Sequence, residues 1–547
     1  MTEKSVHATK ILLSINGQKL EEAVMGQVAE VIVEQHVHLP HMFTIRLYDP
    51  QHKLLDGPTF ELTKKVKIAA GDAEQRETTL MEGEITAVEP IFGEGMIAEL
   101  VVRGYDLSHR LYRETKSRAF LNVKDSDLAE QIAAEIEGVT AVVDPTSTVY
   151  EHVYQHNQSD LAFLMQRAWR IGYECFIEEQ KLYFRKPTNK NASVTLTWGA
   201  DLLAFYPRMT LAEQVDEVIV KGWDADQQKP IVGKSQTGEL YPKLEKDADG
   251  AALAGKFGAG KLVIVDQPVL NQSEADALAK ARLNERSGAF VQAHGLAYRH
   301  PEIRAGEYVK LELLGERFSG AYLVTATRHI YNPDGFRTKF VVMGARTGQL
   351  ADTIQPQPPL TRWPGVVTAV VTNTDDPQNW GRVKVKFPWM ADDAESDWAR
   401  LIGPGGGPEA GLLAVPDVND EVLVTFEQGD FSRPFVLGGL WNGQHAVPPP
   451  NTQAGQNERP LIRTWHSRSG HAITMYDDAS NKVELVTAGG HTITVDDASS
   501  KIAVKSSGGL TITLDDNGSK ITVESGGDID VKATGNLNLK GMAVNIN

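Results

Sequence analysis

Two neighbouring stretches near the carboxyl end carry the same pattern, GGHTITVDDASSKIAVK (489–505) and GGLTITLDDNGSKITVE (508–524), and SGHAITMYDDASNKVELV (469–486) precedes them. In each unit apolar and polar residues alternate, which is typical of a β-strand with one buried and one exposed face. The DDAS and DDNG segments favour tight turns, because Asp, Asn and Gly adopt positive φ at low cost. Units that recur every 18 to 20 residues therefore indicate stacked β-structure.

The apolar stripe of this repeat needs a partner. The threonines of the repeat face away from the stripe, so one ribbon has nothing to bury the stripe against. An isolated two-stranded hairpin is marginal in water. The economical solution is that copies of the chain share one core. Three walls then make a triangular β-prism, a trimeric β-helix needle with the stripe inside.

The predicted trimer core is the apolar set of the stripe: Ile473, Met475, Val483, Leu485, Ile493, Val495, Ile502, Val504, Ile512, Leu514, Ile521, Val523, Ile529 and Val531. The alternation continues through Leu537 and Leu539 towards the last residues. An uncapped prism would expose open strand edges there. A capping protein is therefore predicted to contact Val544, Asn545, Ile546 and Asn547.

Length, composition, net charge and cysteine count limit the class of protein. The 547 residues suggest three or four domains, and 41% apolar with 23% charged residues is ordinary for a soluble protein. A net charge of −17 argues against nucleic acid or an anionic membrane surface as the main partner. Cys175 is the single cysteine, which leaves no intrachain disulfide. With no signal-peptide pattern and no run near 18 apolar residues, we expect synthesis in the cytoplasm and release by a machine or by lysis.

Two proline-rich joints divide the chain, QPQPPLTRWP (355–364) and VPPPNTQAGQNERP (447–460). They predict four parts: a block over 1–354, a compact block over 361–445, a linker over 446–466 and the needle over 467–547. The fold class is therefore mainly β.

The first block combines short strands with three helices. Strands are predicted at 43–49, 65–71, 98–106 and 308–315, and helices at 125–138, 159–172 and 273–288. The segments 83–106 and 320–344 share a glycine–strand–turn–strand layout. This layout indicates either a duplicated barrel or two unrelated hairpins.

The middle block reads as five short strands, at 366–372, 381–389, 398–403, 420–430 and 434–441. Five strands in about eighty residues favour a small closed barrel such as an OB-fold.

This order of parts resembles the spike proteins of contractile injection machines: VgrG of type VI secretion, the hub and spike of phage T4-like baseplates, and spikes of extracellular phage-tail-like particles. Residues 154–186 are similar to the hub motif of strand, helix and hairpin, and 296–312 to the start of a second hub barrel. The most specific similarity is to the OB-fold, over 381–404 and 412–443, with Asn419 where the family has Gly. The opening INGQKL…HVHLPHMFTIRLYDP resembles the extracellular and phage-like branch more than typical VgrG.

The resemblance implies a hub of two β-barrels with a helical and hairpin insert at about 120–190, an OB-fold collar and the needle. Three chains would present six barrels to a hexameric ring of an inner tube protein. Further implied partners are baseplate proteins and a PAAR-type tip protein. The homotrimer would puncture a target membrane mechanically, in a phage tail-like particle that is released or ejected.

The sequence contains only weak signals for a nucleotide-binding, metal-binding or catalytic site. GKFGAGKL (255–262) lacks the Ser/Thr of a phosphate-binding loop, because Leu262 takes its place and a strand follows. DADG (247–250) has too few carboxylates for a calcium loop. His36, His38 and His41 could share a face, but lack a Cys or carboxylate partner in sequence. We predict no catalytic residues, no metal, no cofactor and no enzyme activity. The alternatives are a tail-associated cell-wall hydrolase and a trimeric receptor-binding fibre.

Overall fold

A computed structural model describes residues 10–546 except 73–75, 95–96, 188–191, 193, 225–226, 239–241, 246–249, 344–361, 392 and 450–459. The chain divides into two compact units, Met1–Leu440 and Trp441–Asn547. Most of both proline-rich joints and most of DADG lie outside the described residues.

The strands that precede the first joint form several antiparallel and mixed sheets. In chain order they are β1 (Lys10–Ile15), β2 (Gln18–Lys19), β3 (Val28–His36), β4 (Leu39–Tyr48), β5 (Lys65–Gly71), β6 (Glu77–Gly93), β7 (Ile97–Tyr105), β8 (Thr115–Val123), β9 (Thr140–Val143), β10 (Tyr150–Ser159), β11 (Glu174–Glu178), β12 (Lys181–Arg185), β13 (Val194–Thr197), β14 (Leu202–Met209), β15 (Glu217–Asp224), β16 (Lys229–Ser235), β17 (Lys243–Leu244), β18 (Lys261–Ile264), β19 (Val291–Tyr298), β20 (Tyr308–Glu312), β21 (Gly320–Leu323), β22 (Ala326–Asn332) and β23 (Gly335–Val342).

The helices all lie in the same part of the chain. They are α1 (Glu22–Met25), α2 (Ser108–Tyr112), α3 (Asp125–Ala134), α4 (Asp160–Ile171), α5 (Gly250–Ala254) and α6 (Gln272–Gly288). Helix α4 begins after the predicted N-cap Ser159, whose hydroxyl accepts the Ala162 N–H, and ends at Gly172 in the left-handed region. Helix α6 begins earlier than predicted, because the Asn271 side chain caps it by accepting the Glu274 N–H at 3.0 Å.

One sheet of eleven strands organises the hub, in the order β14-β19-β23-β22-β3-β4-β7-β6-β5-β1-β2. We call it the hub sheet. One apolar core lies among β1 and β3–β7, and a second among β13, β14, β19–β21 and β23. The two lobes join where β3 pairs with β22. The mainly β fold class with a two-lobed hub is therefore confirmed, and the hairpins β6–β7 and β22–β23 from the two similar segments lie in this one sheet.

The OB-fold is a five-stranded sheet in the order β25-β24-β27-β28-β26, with β24 (Val367–Asn373), β25 (Lys384–Lys386), β26 (Arg400–Leu401), β27 (Glu421–Phe426) and β28 (Pro434–Gly439). All five predicted strands are present. Strand β25 starts later than predicted, because the Asp376 carboxylate accepts the N–H groups of Gln378, Trp380 and Arg382 and holds that stretch in a turn. Tyr154 of β10 belongs to the OB core, 5.1 Å from Phe431 between ring centroids.

The second unit contains one sheet, which we call the needle sheet: β29 (Ile462–His466), β30 (Ala472–Tyr476), β31 (Lys482–Val486), β32 (Thr492–Asp496), β33 (Lys501–Lys505), β34 (Thr511–Asp515) and β35 (Lys520–Glu524). Strand β29 pairs with β30, so 462–466 belongs to the sheet and not to the predicted linker. The alternation in LIRTWH continues the pattern of the repeat one strand further upstream. The other proposed domain boundaries stay predictions.

Candidate functional site: the open face of the needle sheet

The needle sheet is a meander in which each strand pairs antiparallel with the next along the chain. The predicted DDAS and DDNG turns all lie on one side of the sheet, and glycine-containing turns lie on the other. On one side the turns end at Asn481, Ser500 and Ser519 with φ between 35° and 54°. On the other side Gly490 and Gly509 adopt φ of 81° and 91°. Because the turns recur regularly, every strand is five residues long and the cross-strand register is the same from β29 to β35.

Two continuous rows of side chains cross the apolar face. One runs Trp465, Ile473, Leu485, Ile493, Val504, Ile512 and Val523, and the other Arg463, Met475, Val483, Val495, Ile502, Leu514 and Ile521. The register thus aligns twelve of the predicted trimer-core residues on one face. In the single chain each of the twelve is between 37% and 72% exposed. Trp465 and Arg463 begin these rows, although neither is among the predicted core residues.

The last part of the predicted stripe differs from the rest. Strand β35 ends at Glu524, and residues 525–546 form no strand or helix. Ile529 and Val531 are 53% and 65% exposed, and Val544 and Ile546 are 55% and 88% exposed. Asn545 is exposed as well, and Asn547 lies outside the described residues. The core role of Ile529 and Val531 and the tip contact of the last four residues stay predictions.

A row of alternating charges follows one margin of the needle sheet, which the sequence analysis did not identify. Lys482, Asp496, Lys501, Asp515 and Lys520 are cross-strand neighbours in that order. Lys501 Nζ lies 3.3 Å from Asp515 Oδ2. The Ser499 N–H and then Lys482 lower the pKa of Asp496, and the Gly518 N–H and then Lys501 lower the pKa of Asp515. The recurrence of Lys and Asp beside each turn was the available signal.

The turns are also bonded to one another. On one side the Asp497 N–H donates to Asn481 O and the Asp516 N–H to Ser500 O, each at 3.1 Å. On the other side the Ala488 N–H donates to His471 Nδ1 at 3.2 Å. The Ser507 N–H donates to His491 Nδ1, also at 3.2 Å. The stacking therefore extends past the strands into both columns of turns.

The histidine motif and the glycine-rich motif proposed as candidate metal and phosphate sites contribute to the fold in the structure and do not form such sites within the described residues. His36 Nδ1 accepts the His38 N–H, and burial lowers the pKa of His36 to about 4 and of His38 to about 3. His41 Nδ1 is 3.7 Å from Asp106 Oδ2. Within the described residues no three His, Cys, Asp or Glu side chains cluster as metal ligands. In GKFGAGKL a 3₁₀ turn (Gly255–Phe257) leads into β18 and not into a helix, so the geometry of a phosphate-binding loop is missing there.

No helix in the described part of the chain is long and apolar enough to cross a bilayer.

Two family models match the chain. The model described as the Alg8 N-terminal domain covers residues 5–332. The model described as the type VI secretion system/phage-baseplate injector OB domain covers residues 367–441, the segment that forms the five-stranded sheet.

Curated relatives include two spike proteins of Pseudomonas aeruginosa. The type VI secretion system spike protein VgrG1b is 34% identical over 411 residues, which are 69% of this chain and 54% of that protein. The type VI secretion system spike protein VgrG5 is 26% identical over 343 residues, 54% of this chain and 41% of that protein. The chain thus spans about half the length of these relatives.

The solved structure of the Francisella PdpA–VgrG complex shares the fold over 92% of this chain and 81% of the matched chain, at 10% identity and a TM-score of 0.52. A hub sheet of two lobes, an OB-fold and a repetitive antiparallel sheet with an uncovered apolar face thus occur here in the order that the sequence resemblance implies. The chain belongs to the family of the Alg8 N-terminal domain model and, with it, to the VgrG and phage-baseplate spike proteins.

Proposed function

We propose that the chain is the homotrimeric spike of a contractile injection system, in the extracellular phage-tail-like branch that its opening segment resembles. The spike adapts a hexameric inner tube to a needle that punctures the target envelope. The uncovered apolar face of the needle sheet carries this proposal. Soluble proteins rarely leave a contiguous apolar face of this kind without a partner.

Three copies of the needle sheet would cover each other's apolar rows around a common axis. Complete burial of a Val, Leu, Ile or Met side chain contributes about 1.5–3 kcal/mol, so half-exposed ones would add roughly 1 kcal/mol each. The two rows would then contribute on the order of 10 kcal/mol per chain before the entropic cost of association. Burial of this size would favour assembly of the trimer.

Open strand edges in the hub support pairing between copies. Strand β14 pairs with β19 and with no other strand of the described residues. The second half of β6, from Ala87 onward, pairs with β7 alone within the described residues. Pro207 in β14 and Pro90 in β6 interrupt the two edges, a device that limits unregulated edge pairing. We infer that neighbouring copies meet along these edges, which brings six lobes into a ring that matches a hexameric tube.

The remaining partners and the absence of enzymatic activity follow from the same proposal. We infer contacts with baseplate proteins at the hub and with a PAAR-type tip protein at Val544, Asn545, Ile546 and Asn547. The two relatives named above are described as spike proteins, which supports a structural role for this chain. A trimer with three times the −17 charge of the chain gains no attraction from anionic lipid, so puncture would be mechanical. We infer synthesis in the cytoplasm and assembly into a particle that is released or ejected.

Light scattering of the purified chain tests the oligomer. We expect about 180 kDa, three times the 60.0 kDa chain. A monomer at micromolar concentration would contradict the proposal. Electron microscopy of particles should place the chain at the tip of the tube, and a zymogram on purified cell wall should show no clearing. Clearing would favour the hydrolase alternative.

A further inference from the structure

A cavity of about 790 Å³ lies on the face of the hub sheet that covers neither core. It spans β14, β19, β23, β22, β3 and β4, across the seam between the two lobes. Its floor is formed by two aliphatic cross-strand pairs, each with an alanine: Ala326 pairs with Val341, and Ala204 with Leu296. The longer side chains of Tyr206 and Met42 stand towards the two ends. The cavity therefore arises because the alanines of the floor are smaller than the residues at its two ends.

Three cations on the β22–β23 hairpin stand on this face beside the floor. Lys339 is the direct cross-strand neighbour of Arg328, and Arg337 stands one row away, opposite Ile330. Arg328 Nε lies 3.5 Å from Glu34 Oε1. Lys339 forms no ion pair with any described residue. Like charges directly opposite each other on neighbouring strands repel and destabilise the pairing of the strands. An anion bound between Lys339 and Arg328 would relieve this repulsion.

Two histidines, His36 and His294, also line the cavity. Burial, helped by nearby His41, lowers the pKa of His36 to about 4. His36 is therefore neutral near pH 7. The chain as a whole carries −17, whereas the cavity lining carries two cations, Lys339 and Arg328, against the single carboxylate of Glu34, so the lining is a local exception to the charge of the chain.

We propose that this cavity binds a carboxylate carried by an apolar stretch of a partner polypeptide. The carboxylate sits between Lys339 and Arg328, whose Cβ atoms are about 5 Å apart as direct cross-strand neighbours. The apolar side chains next to it lie over Ala326 and Val341. An apolar floor with a few convergent polar groups and a volume of several hundred Å³ is typical of a ligand site. The inference goes beyond spike assembly and does not depend on it.

The carboxylate can come from an acidic side chain or from a free carboxyl terminus, and three fluorescein-labelled peptides distinguish the two. The first is Gly-Ser-Gly-Leu-Val-Leu with a free carboxyl terminus, and the second is its amide. The third is the amide of Gly-Ser-Leu-Asp-Leu-Val. Anisotropy titrations with the full-length chain should show that at least one carboxylate peptide binds about ten-fold or more tighter than the neutral amide.

Variants locate the binding. Lys339→Glu should weaken carboxylate binding about ten-fold or more, and Lys339→Arg should retain it. Lys221→Glu makes the same charge change on an exposed strand residue outside the cavity and should have no effect. Ala326→Leu fills the floor and should weaken all three peptides. Thermal melting of each variant checks that the hub remains folded.

Several results would overturn the proposal. These are equal binding of the neutral amide and the carboxylate peptides, carboxylate binding that Lys339→Glu leaves unchanged, and no binding of any peptide up to about 1 mM. Light scattering tests whether a second copy of the chain, and not a peptide, occupies this face. If Lys339→Glu alters the mass of the assembly while no peptide binds, the face is an interface between copies of the chain and not a peptide site.

Discussion

Arg170 of α4 and Glu274 of α6 form a buried ion pair across 104 residues of sequence, with Nε 2.9 Å from Oε1. The Leu270 N–H and the Tyr150 hydroxyl also donate to this carboxylate. Burial raises the pKa of Glu274, but Arg170, the Leu270 N–H and Arg167 outweigh it and hold the pKa below its usual range. The pair joins the helical insert of the hub to a helix that leads into the second lobe.

Arg170→Met should cost the hub about 3–5 kcal/mol of unfolding free energy, because it leaves the Glu274 carboxylate buried without its cation. Adding Glu274→Gln should recover part of the loss, since the stranded charge is removed. Lys310→Met breaks an exposed pair with Glu312 and should cost far less than Arg170→Met, because water screens an exposed pair. Urea unfolding followed by tryptophan fluorescence measures all three. Additive costs for the two hub substitutions would contradict a coupled buried pair.

His300 gives the hub a pH-dependent contribution. Its Nδ1 lies 2.8 Å from Glu302 Oε1 and its Nε2 3.0 Å from Asp201 Oδ2. Burial lowers its pKa, but the two carboxylates outweigh this and raise it above 6.5. The stabilisation is therefore complete below the unfolded pKa of about 6.5 and is lost as pH rises through the higher folded pKa.

His300→Gln should therefore lower the unfolding free energy by about 2 kcal/mol at pH 6, and by less at pH 9. Denaturant midpoints across this range measure the difference. The exposed His52→Gln should show no such trend. A loss that grows with pH would contradict the assignment of a charged His300.

The two faces of β34 should respond differently to the same charge. Ile512 stands between Val504 and Val523 in an apolar row, while Thr513 stands between Ala503 and Thr522 on the other face. In the proposed trimer, Ile512→Asp would place three carboxylates around one axis, where desolvation and mutual repulsion oppose assembly. Loss of the isoleucine alone should cost about 2–5 kcal/mol per chain.

Thr513→Asp should cost about 1 kcal/mol or less per chain, because water screens the new charge. Survival of the trimer in warm detergent on a gel compares the two variants. If both resist equally, or if Thr513→Asp dissociates first, the apolar rows are not the trimer core.

The charge row predicts a small, salt-dependent effect. Lys501→Glu would set a third carboxylate between Asp496 and Asp515 and should lower the melting temperature of the needle slightly at low salt. Lys505→Glu, between Thr492 and Thr511, makes the same charge change without acidic neighbours. The difference between the two should vanish at high salt, because these groups are exposed. A difference that persists would contradict a screened surface interaction.

Much of this architecture could be predicted from local signals. The period of two in the repeat, with its turn residues, determines both the strands and the face that each residue occupies, so the alternation alone assigns Ile512 and Thr513 to opposite faces. Caps are equally local, and Ser159 and Gly172 mark the ends of α4 where predicted.

Long-range pairing could not be predicted in the same way. No local pattern shows that β22 pairs with β3 or that Arg170 meets Glu274, because both depend on how distant segments pack. The cavity beside Lys339 was missed for the same reason, since its floor combines residues from separate strands. Residues 525–546 show that a local pattern can also predict too much. Their alternation predicts strands, yet a single chain offers them no neighbour to pair with.

The meander of the needle sheet has a directional mechanical consequence. Seven stacked strands extend about 29 Å along the stacking direction, while each five-residue strand is about 17 Å long. The interstrand hydrogen bonds therefore run along the longer dimension. Thrust along that direction presses neighbouring strands together and meets steric resistance at every layer. Tension instead loads the bonds in series, and a terminal pair of the meander, β29–β30 or β34–β35, can separate first. A sheet of this construction therefore resists compression along its stacking direction but yields to tension, which would peel it apart one strand at a time from an end.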